Sequence, residues 1–203
     1  MEITDIEQLR EIIAEPSPGL EAKNIPYLDT FACDFISKSP FLILSTSDEE
    51  GRCDGSPKGD APGFVEVVDE HTLLIPDRPG NRLAYGHKNI LANPNVAILF
   101  CIPGTTETLR VSGKAALTAD PAVLDRLAAR GKPAVLAIRV TVEECFFHCS
   151  KAFIRSNLWD SEQWVTPPHK VSFGEIYRAR FGISDDEVRA FEESLADEYE
   201  NNL

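Results

Sequence analysis

The sequence predicts an α+β fold, and three observations predict it. Six or seven short apolar runs recur at close spacing through the middle of the chain, each bounded by Gly, Pro, Asp, Asn or Ser. Helical periodicity interrupts that rhythm only a few times. The 203 residues are enough for one domain with a sizeable core and too few for two domains plus a linker. A β-barrel is the expected closed form of such a sheet, and a sandwich fits the same pattern.

Taken in order, residues 3–15 read as a helix with Ile6, Leu9 and Ile13 on one face, ended by Pro16 and Pro18. A second helix is expected from about Asp29 to Lys38. Asp29 or Thr30 is its cap, and Phe31, Phe35 and Ile36 are its buried side. Phe41 to Thr46 is a strand between Pro40 and the turn Ser47 to Gly51. Strands follow at Arg52 to Pro57, Phe64 to Val68 and Thr72 to Ile75, the last two close enough for a hairpin. Residues 81–92 read as a helix capped by Asn81, with Leu83, Ile90 and Leu91 as apolar positions and Asn93-Pro94 as its end.

Strands return at Val96 to Ile102 and Thr108 to Thr118. Asp120 caps a helix to Arg130 with Val123, Leu124 and Leu127 inward, and Gly131 stops it. A long strand runs from Ala134 to about Phe147. Beyond it, a helix is expected near Gly174 to Phe181. A last, strongly acidic helix starts after Ser184, which forms a capping box with Glu187; its stripe of Val188, Phe191 and Leu195 must pack on something.

The formal net charge of −13 disfavours nucleic acid and anionic membranes as partners. No apolar run approaches the ~20 residues of a membrane-spanning helix. The N-terminus is acidic and amphipathic, without the basic start of a secretory signal. The five cysteines are an odd set, which reads as reduced thiols in a cytoplasmic protein. Cys145, His148 and Cys149 are three metal-ligand types close together. An extended strand would turn Cys145 and His148 to opposite sides, so no metal site is assigned. His71 and His87 read as surface residues.

An anionic ligand of so acidic a chain needs a local group of cations. Gly55 to Phe64 is dense in glycine and proline, so its backbone path is fixed and its N–H groups can be aimed. Ser56 adds a hydroxyl and Lys58 a charge. Arg78 and Arg82 then flank the expected helix start, where free N–H groups and the positive dipole end suit a phosphate. A cation in a first helical turn is unfavourable unless an anion binds beside it.

The segments Gly-Ser-Pro-Lys-Gly-Asp at 55–60, Pro-Asp-Arg-Pro-Gly-Asn-Arg at 76–82, Asn-Ile-Leu-Ala-Asn-Pro-Asn-Val at 89–96 and Glu-Thr-Leu-Arg-Val-Ser-Gly-Lys-Ala at 107–115 carry a resemblance. Over residues 30–160 or so, the chain is similar to a bacterial branch of the pyridoxamine 5′-phosphate oxidase-like flavoproteins. The resemblance implies one domain over 1–203: N-terminal helices at 1–40, an FMN-binding split β-barrel at 41–150, and a segment at 151–203 that closes the cleft and ends in the acidic helix. It implies a homodimer with FMN at the interface and an oxidoreductase acting on a small molecule. Ser56, Pro57, Lys58 and Gly59 match the strand that fronts the flavin, with the Lys58 charge near the ring. Ile75, Pro76 and Arg78 adjoin it, and Asn81 and Arg82 match the step that grips the phosphate. Thr108 and Arg110 match a strand that adds a polar side chain. Lys151, Arg155, Ser156 and Trp159, in segments 148–152 and 155–159, should close the cleft.

Two segments of the enzymes that oxidise pyridoxamine phosphate, Arg-x-x-Leu-Leu-Lys and Arg-Leu-His-Asp-Arg, are missing, so their substrate is not implied. A non-catalytic barrel holding haem, a deazaflavin or flavin as a sensor is the alternative expectation.

Overall fold

A computed structural model describes residues 2–201. Seven strands form one sheet: β1 (Phe41–Ser47), β2 (Cys53–Gly59), β3 (Glu66–Asp69), β4 (Thr72–Asp77), β5 (Asn95–Cys101), β6 (Thr108–Thr118) and β7 (Leu136–His148). Their order is β2-β1-β5-β6-β7-β4-β3, and every pairing is antiparallel. The helices are α1 (Ile6–Ile12), α2 (Thr30–Lys38), α3 (Tyr85–Ala92), α4 (Pro121–Arg126), α5 (Lys151–Ser156), α6 (Phe173–Phe181) and α7 (Asp185–Asn201).

Alternation decides what the sheet encloses. In β1, Leu42, Leu44 and Thr46 are buried while Phe41 and Ser45 are exposed. Leu73, Ile75, Ile98, Phe100, Leu109, Val111, Ile138 and Val140 fill the same interior. Ile36 of α2 and Ile90 of α3 complete it. The sheet curls around these side chains, which makes it a packed barrel and not a pore. A smaller cluster outside, Leu74, Leu127, Ala134 and Ala137, seats α4.

Local signals placed three helix starts. The Asp29 carboxylate accepts from the Ala32 N–H at 2.8 Å, and Asp120 from Ala122 at 2.9 Å. Ser184 and Glu187 cap α7 reciprocally. The apolar stripe of α7 packs on α6: Phe191 meets Tyr177 edge-on at 4.9 Å, and Glu192 accepts from Ser172 and the Gly174 N–H.

Three helix expectations are corrected. Phe31 is 73% exposed, because α2 turns Ala32, Phe35 and Ile36 inward. α3 starts at Tyr85, not at Asn81, and leaves Leu83 and Leu91 outside. α4 ends at Arg126, and the Ala129–Lys132 turn replaces its last turn. None of the described helices is long and apolar enough to cross a membrane.

Candidate functional site

The two margins of the sheet approach each other where β2 faces the end of β4, and side chains close the gap. Pro57 is confined to such an edge because it has no N–H to give. Ser56 and Lys58 are in register with Leu44 and Leu42, so their side chains face inward. Lys58 Nζ meets Asp77 Oδ1 across the gap, with both side chains under a fifth exposed. Just beyond, Arg78 Nε donates to Asp60 Oδ2 at 2.8 Å, and its Nη1 donates to the Leu127 carbonyl at 2.9 Å. Burial pushes the Asp60 carboxyl upward. The Ala61 N–H, Arg78 and Arg130 outweigh it and hold that carboxyl below the usual range.

The charges of Lys58 and Arg78 are thus engaged within the protein itself. Each already has a carboxylate partner. The surface expectation for His87 is corrected. It sits 19% exposed in the first turn of α3, its Nε2 buried and without a hydrogen bond, 3.4 Å from Asp77 Oδ2. The Ile75 side chain is fully enclosed in the core and Pro76 is buried beside it.

Between β4 and α3 runs a strained loop. Arg82 and Ala84 take left-handed backbone, with φ of 61° and 55°. Asn81 Oδ1 accepts from the Leu83 N–H at 3.1 Å and so stabilises the turn instead of capping a helix. Ala84 precedes α3 without a side-chain cap, which leaves its first N–H groups open. Arg82 is exposed and in no ion pair among the described residues. Gly86, in that first turn, stands close to the Ser56 hydroxyl: a Cβ there would lie 3.6 Å from it. The phosphate-type elements at Ser56 and near Arg82 are therefore neighbours, although Arg82 precedes the helix and is not part of its first turn.

The outer face of the sheet carries the second part. Pro57, Ile43, Leu99, Arg110 and Phe146 form one row across five strands, and Gly55, Ser45, Ala97, Ser112 and Glu144 form the next. α5 overhangs them. Between lies a cleft of about 360 Å³ whose lining includes Ile43, Leu99, Thr108, Arg110, His148 and Phe153. Thr108 is 2% exposed, while Arg110 stands in the open over the Phe146 ring.

Trp159 stacks on Phe153 at 5.7 Å, and its Nε1 donates to the Thr105 carbonyl at 2.9 Å. It holds the overhang in place and does not line the cleft. Ser156 donates back to the Phe153 carbonyl. Lys151 and Arg155 are exposed and unpaired among the described residues. Cys145 lies in the core, where burial chiefly, with Asp29 and Cys33, pushes its thiol to about 12; His148 faces the outer cleft. The opposite-sides expectation for these two residues holds.

The predicted residues thus fall into two groups. One lies along the seam and the α3 loop, the other under α5 on the outer face. Asp60, Asp77 and His87 escaped the sequence reading; the only hint was an Asp in each motif beside the basic residues. His148 belongs to one of the two segments expected to close the cleft, whereas Phe153, which lies between those segments, carries no motif signal.

A family model for pyridoxamine 5′-phosphate oxidase matches residues 28–149. No curated protein matches the chain. Among solved structures, HupZ of Group A Streptococcus is 18% identical, with a TM-score of 0.48, over 59% of this chain and 92% of its own. A Lactobacillus delbrueckii protein provisionally named a pyridoxamine 5′-phosphate oxidase is 21% identical, with a TM-score of 0.47, over 60% of this chain and 95% of its own. An FMN-binding protein from Syntrophomonas wolfei is 10% identical, with a TM-score of 0.43, over 57% and 87%.

Proposed function

The chain belongs to the pyridoxamine 5′-phosphate oxidase family, and from that premise we propose that it is a homodimeric flavoprotein that binds FMN and acts as an oxidoreductase on a small molecule. The observation that carries the reading is the pairing of an uncapped α3 N-terminus with an unpaired Arg82, next to the edge of β2. Open N–H groups and a free guanidinium suit a phosphate, on a chain whose net charge of −13 would otherwise repel one. The outer cleft of about 360 Å³ falls within the usual size range for ligand sites, about 300–1,000 Å³.

In this reading Arg82, Asn81 and the first turn of α3 hold the phosphate. The edge backbone of Ser56 to Gly59 fronts the ring system. Lys58 and Arg78 act indirectly, by fixing the seam that carries both. Thr108 and Arg110 supply polar contacts in the cleft, and Phe153, braced by Trp159, excludes water from it. Lys151 and Arg155 lend positive charge at its rim. FMN supplies the hydride or electron chemistry, and the protein positions and tunes it. A second copy covers the apolar row Pro57–Ile43–Leu99, which gives the exposed Phe41 a partner.

An absorption spectrum of the purified protein, with its mass in solution, tests the proposal. Flavin bands and a dimer are expected. A colourless protein that takes up no added FMN, or one with a Soret band, refutes it.

A further inference from the structure

Two cations share one aromatic ring beside the cleft. Lys23 Nζ lies 5.1 Å from the centroid of Phe146, and the Arg110 guanidinium carbon lies 5.2 Å from it. The two charges are therefore no more than about 10 Å apart, close enough to repel in an acidic protein that could have neutralised them. Neither is in an ion pair among the described residues. The negative face of the ring offsets part of the repulsion. An anion between the cations would offset more.

The arrangement is built into the backbone. Ile25 exchanges two main-chain hydrogen bonds with Cys145, at 3.0 and 2.7 Å, which adds a bridge to β7 beyond the start of β4. Asn24 Nδ2 donates to Glu144 Oε2 at 2.9 Å, which occupies that carboxylate. Lys23 ends the 3-10 turn Leu20–Lys23 immediately before these anchors. Pro16, Leu20, Lys23, Arg110 and Phe146 line a hollow of about 230 Å³, with Glu21 as its one carboxylate. Arg110 and His148 line both this hollow and the larger cleft, so the two adjoin.

We propose that the hollow is a subsite for the anionic group, carboxylate or phosphate, of the molecule that reacts in the cleft, held between Lys23 and Arg110. The inference rests on the flavin reading of the cleft. Its own elements from Pro16 to Asn24 precede residue 28, where the family match begins.

Flavin-loaded protein is titrated by calorimetry with inorganic phosphate and, separately, with benzoate at constant ionic strength. Saturable binding of one of them is expected. Lys23→Gln should weaken it about tenfold, the loss of one charged hydrogen bond, and Lys23→Arg should restore it. Flavin absorbance and circular dichroism of both variants should match the wild type. The subsite is overturned if neither probe saturates, if Lys23→Gln binds as tightly as the wild type, or if phosphate expels the flavin, which would place the anion in the cofactor's own grip. If the protein carries no flavin, the flavin reading fails by itself, and the same titration of the colourless protein still decides the subsite through its dependence on Lys23.

Discussion

Lys58 of β2 and Asp77 at the end of β4 form an ion pair across the gap where the margins of the sheet meet without a backbone ladder. Removing one partner strands a largely desolvated charge, whereas removing both does not. Lys58→Met or Asp77→Leu alone should cost about 2–3 kcal/mol, and the double variant clearly less than the sum. Urea unfolding of the four proteins measures this. Strict additivity would show that the pair contributes nothing.

Acid should loosen the same seam through Asp60. Its carboxyl is held below the ordinary value in the folded state by the Ala61 N–H, Arg78 and Arg130, despite the upward push of burial. The unfolded chain therefore takes up the proton first. The stabilisation is complete above the unfolded value, about pH 4, and is lost as pH falls through the folded one. Asp60→Asn should be less stable at pH 7 and show a shallower decline below about pH 4. Equal acid slopes for variant and wild type would remove Asp60 from the account.

Gly113 sits at the bulge between β6 and β7, where a Cβ would lie 1.9 Å from the Thr141 carbonyl oxygen. No rotamer relieves a clash with backbone. Gly113→Ala should lose about 3 kcal/mol or more, while Ser112→Ala, on the outer face, should stay near wild type. Thermal unfolding of the two distinguishes them, and a neutral Gly113→Ala would refute the close approach.

Thiol reactivity should follow burial. Cys53 and Cys149 are exposed, Cys33 is intermediate, and Cys101 and Cys145 are buried. Burial raises the thiols of Cys33 and Cys101, and that of Cys145 reaches about 12. A disulfide reagent at pH 8 should modify two thiols quickly, Cys33 slowly, and the last two only on unfolding. Mass mapping that finds Cys145 among the first would contradict the packing.

Arg78 and Arg82 should fail differently. Arg82→Gln should weaken FMN about ten- to a hundredfold, the worth of a charged hydrogen bond, with unfolding unchanged. Arg78→Gln leaves Asp60 without its closest partner and should lower the unfolding midpoint first. Flavin titration and thermal unfolding of both proteins separate the roles; interchanged results would reverse the assignments.

Much of the fold was legible because its signals are local. The span Thr108–Thr118 emerged as written, as did the caps at Asp120 and Ser184, and of the two candidates Asp29 and Thr30 it is Asp29 that caps α2, since alternation and capping depend on residues two to four positions apart. The α3 start was misread because Asn81 can cap a helix or close a turn. The left-handed backbone at Arg82 and Ala84 chose the turn. Phe31 was misread because an apolar residue on a short helix says nothing about how the helix is rotated against its neighbours.

By itself the sequence determined the strands, the positions of several helices, the acidic charge and the basic, glycine-proline segments that mark the candidate site. Only the tertiary structure decided which of those cations are free. Lys58 and Arg78 find carboxylates 19 and 18 residues away across the seam, while Arg82 and Arg110 find none among the described residues. The reason is range. Strand and helix follow from neighbours along the chain, but a charge is neutralised by whatever the closed sheet brings within about 4 Å of it, and that proximity exists only after the barrel has folded.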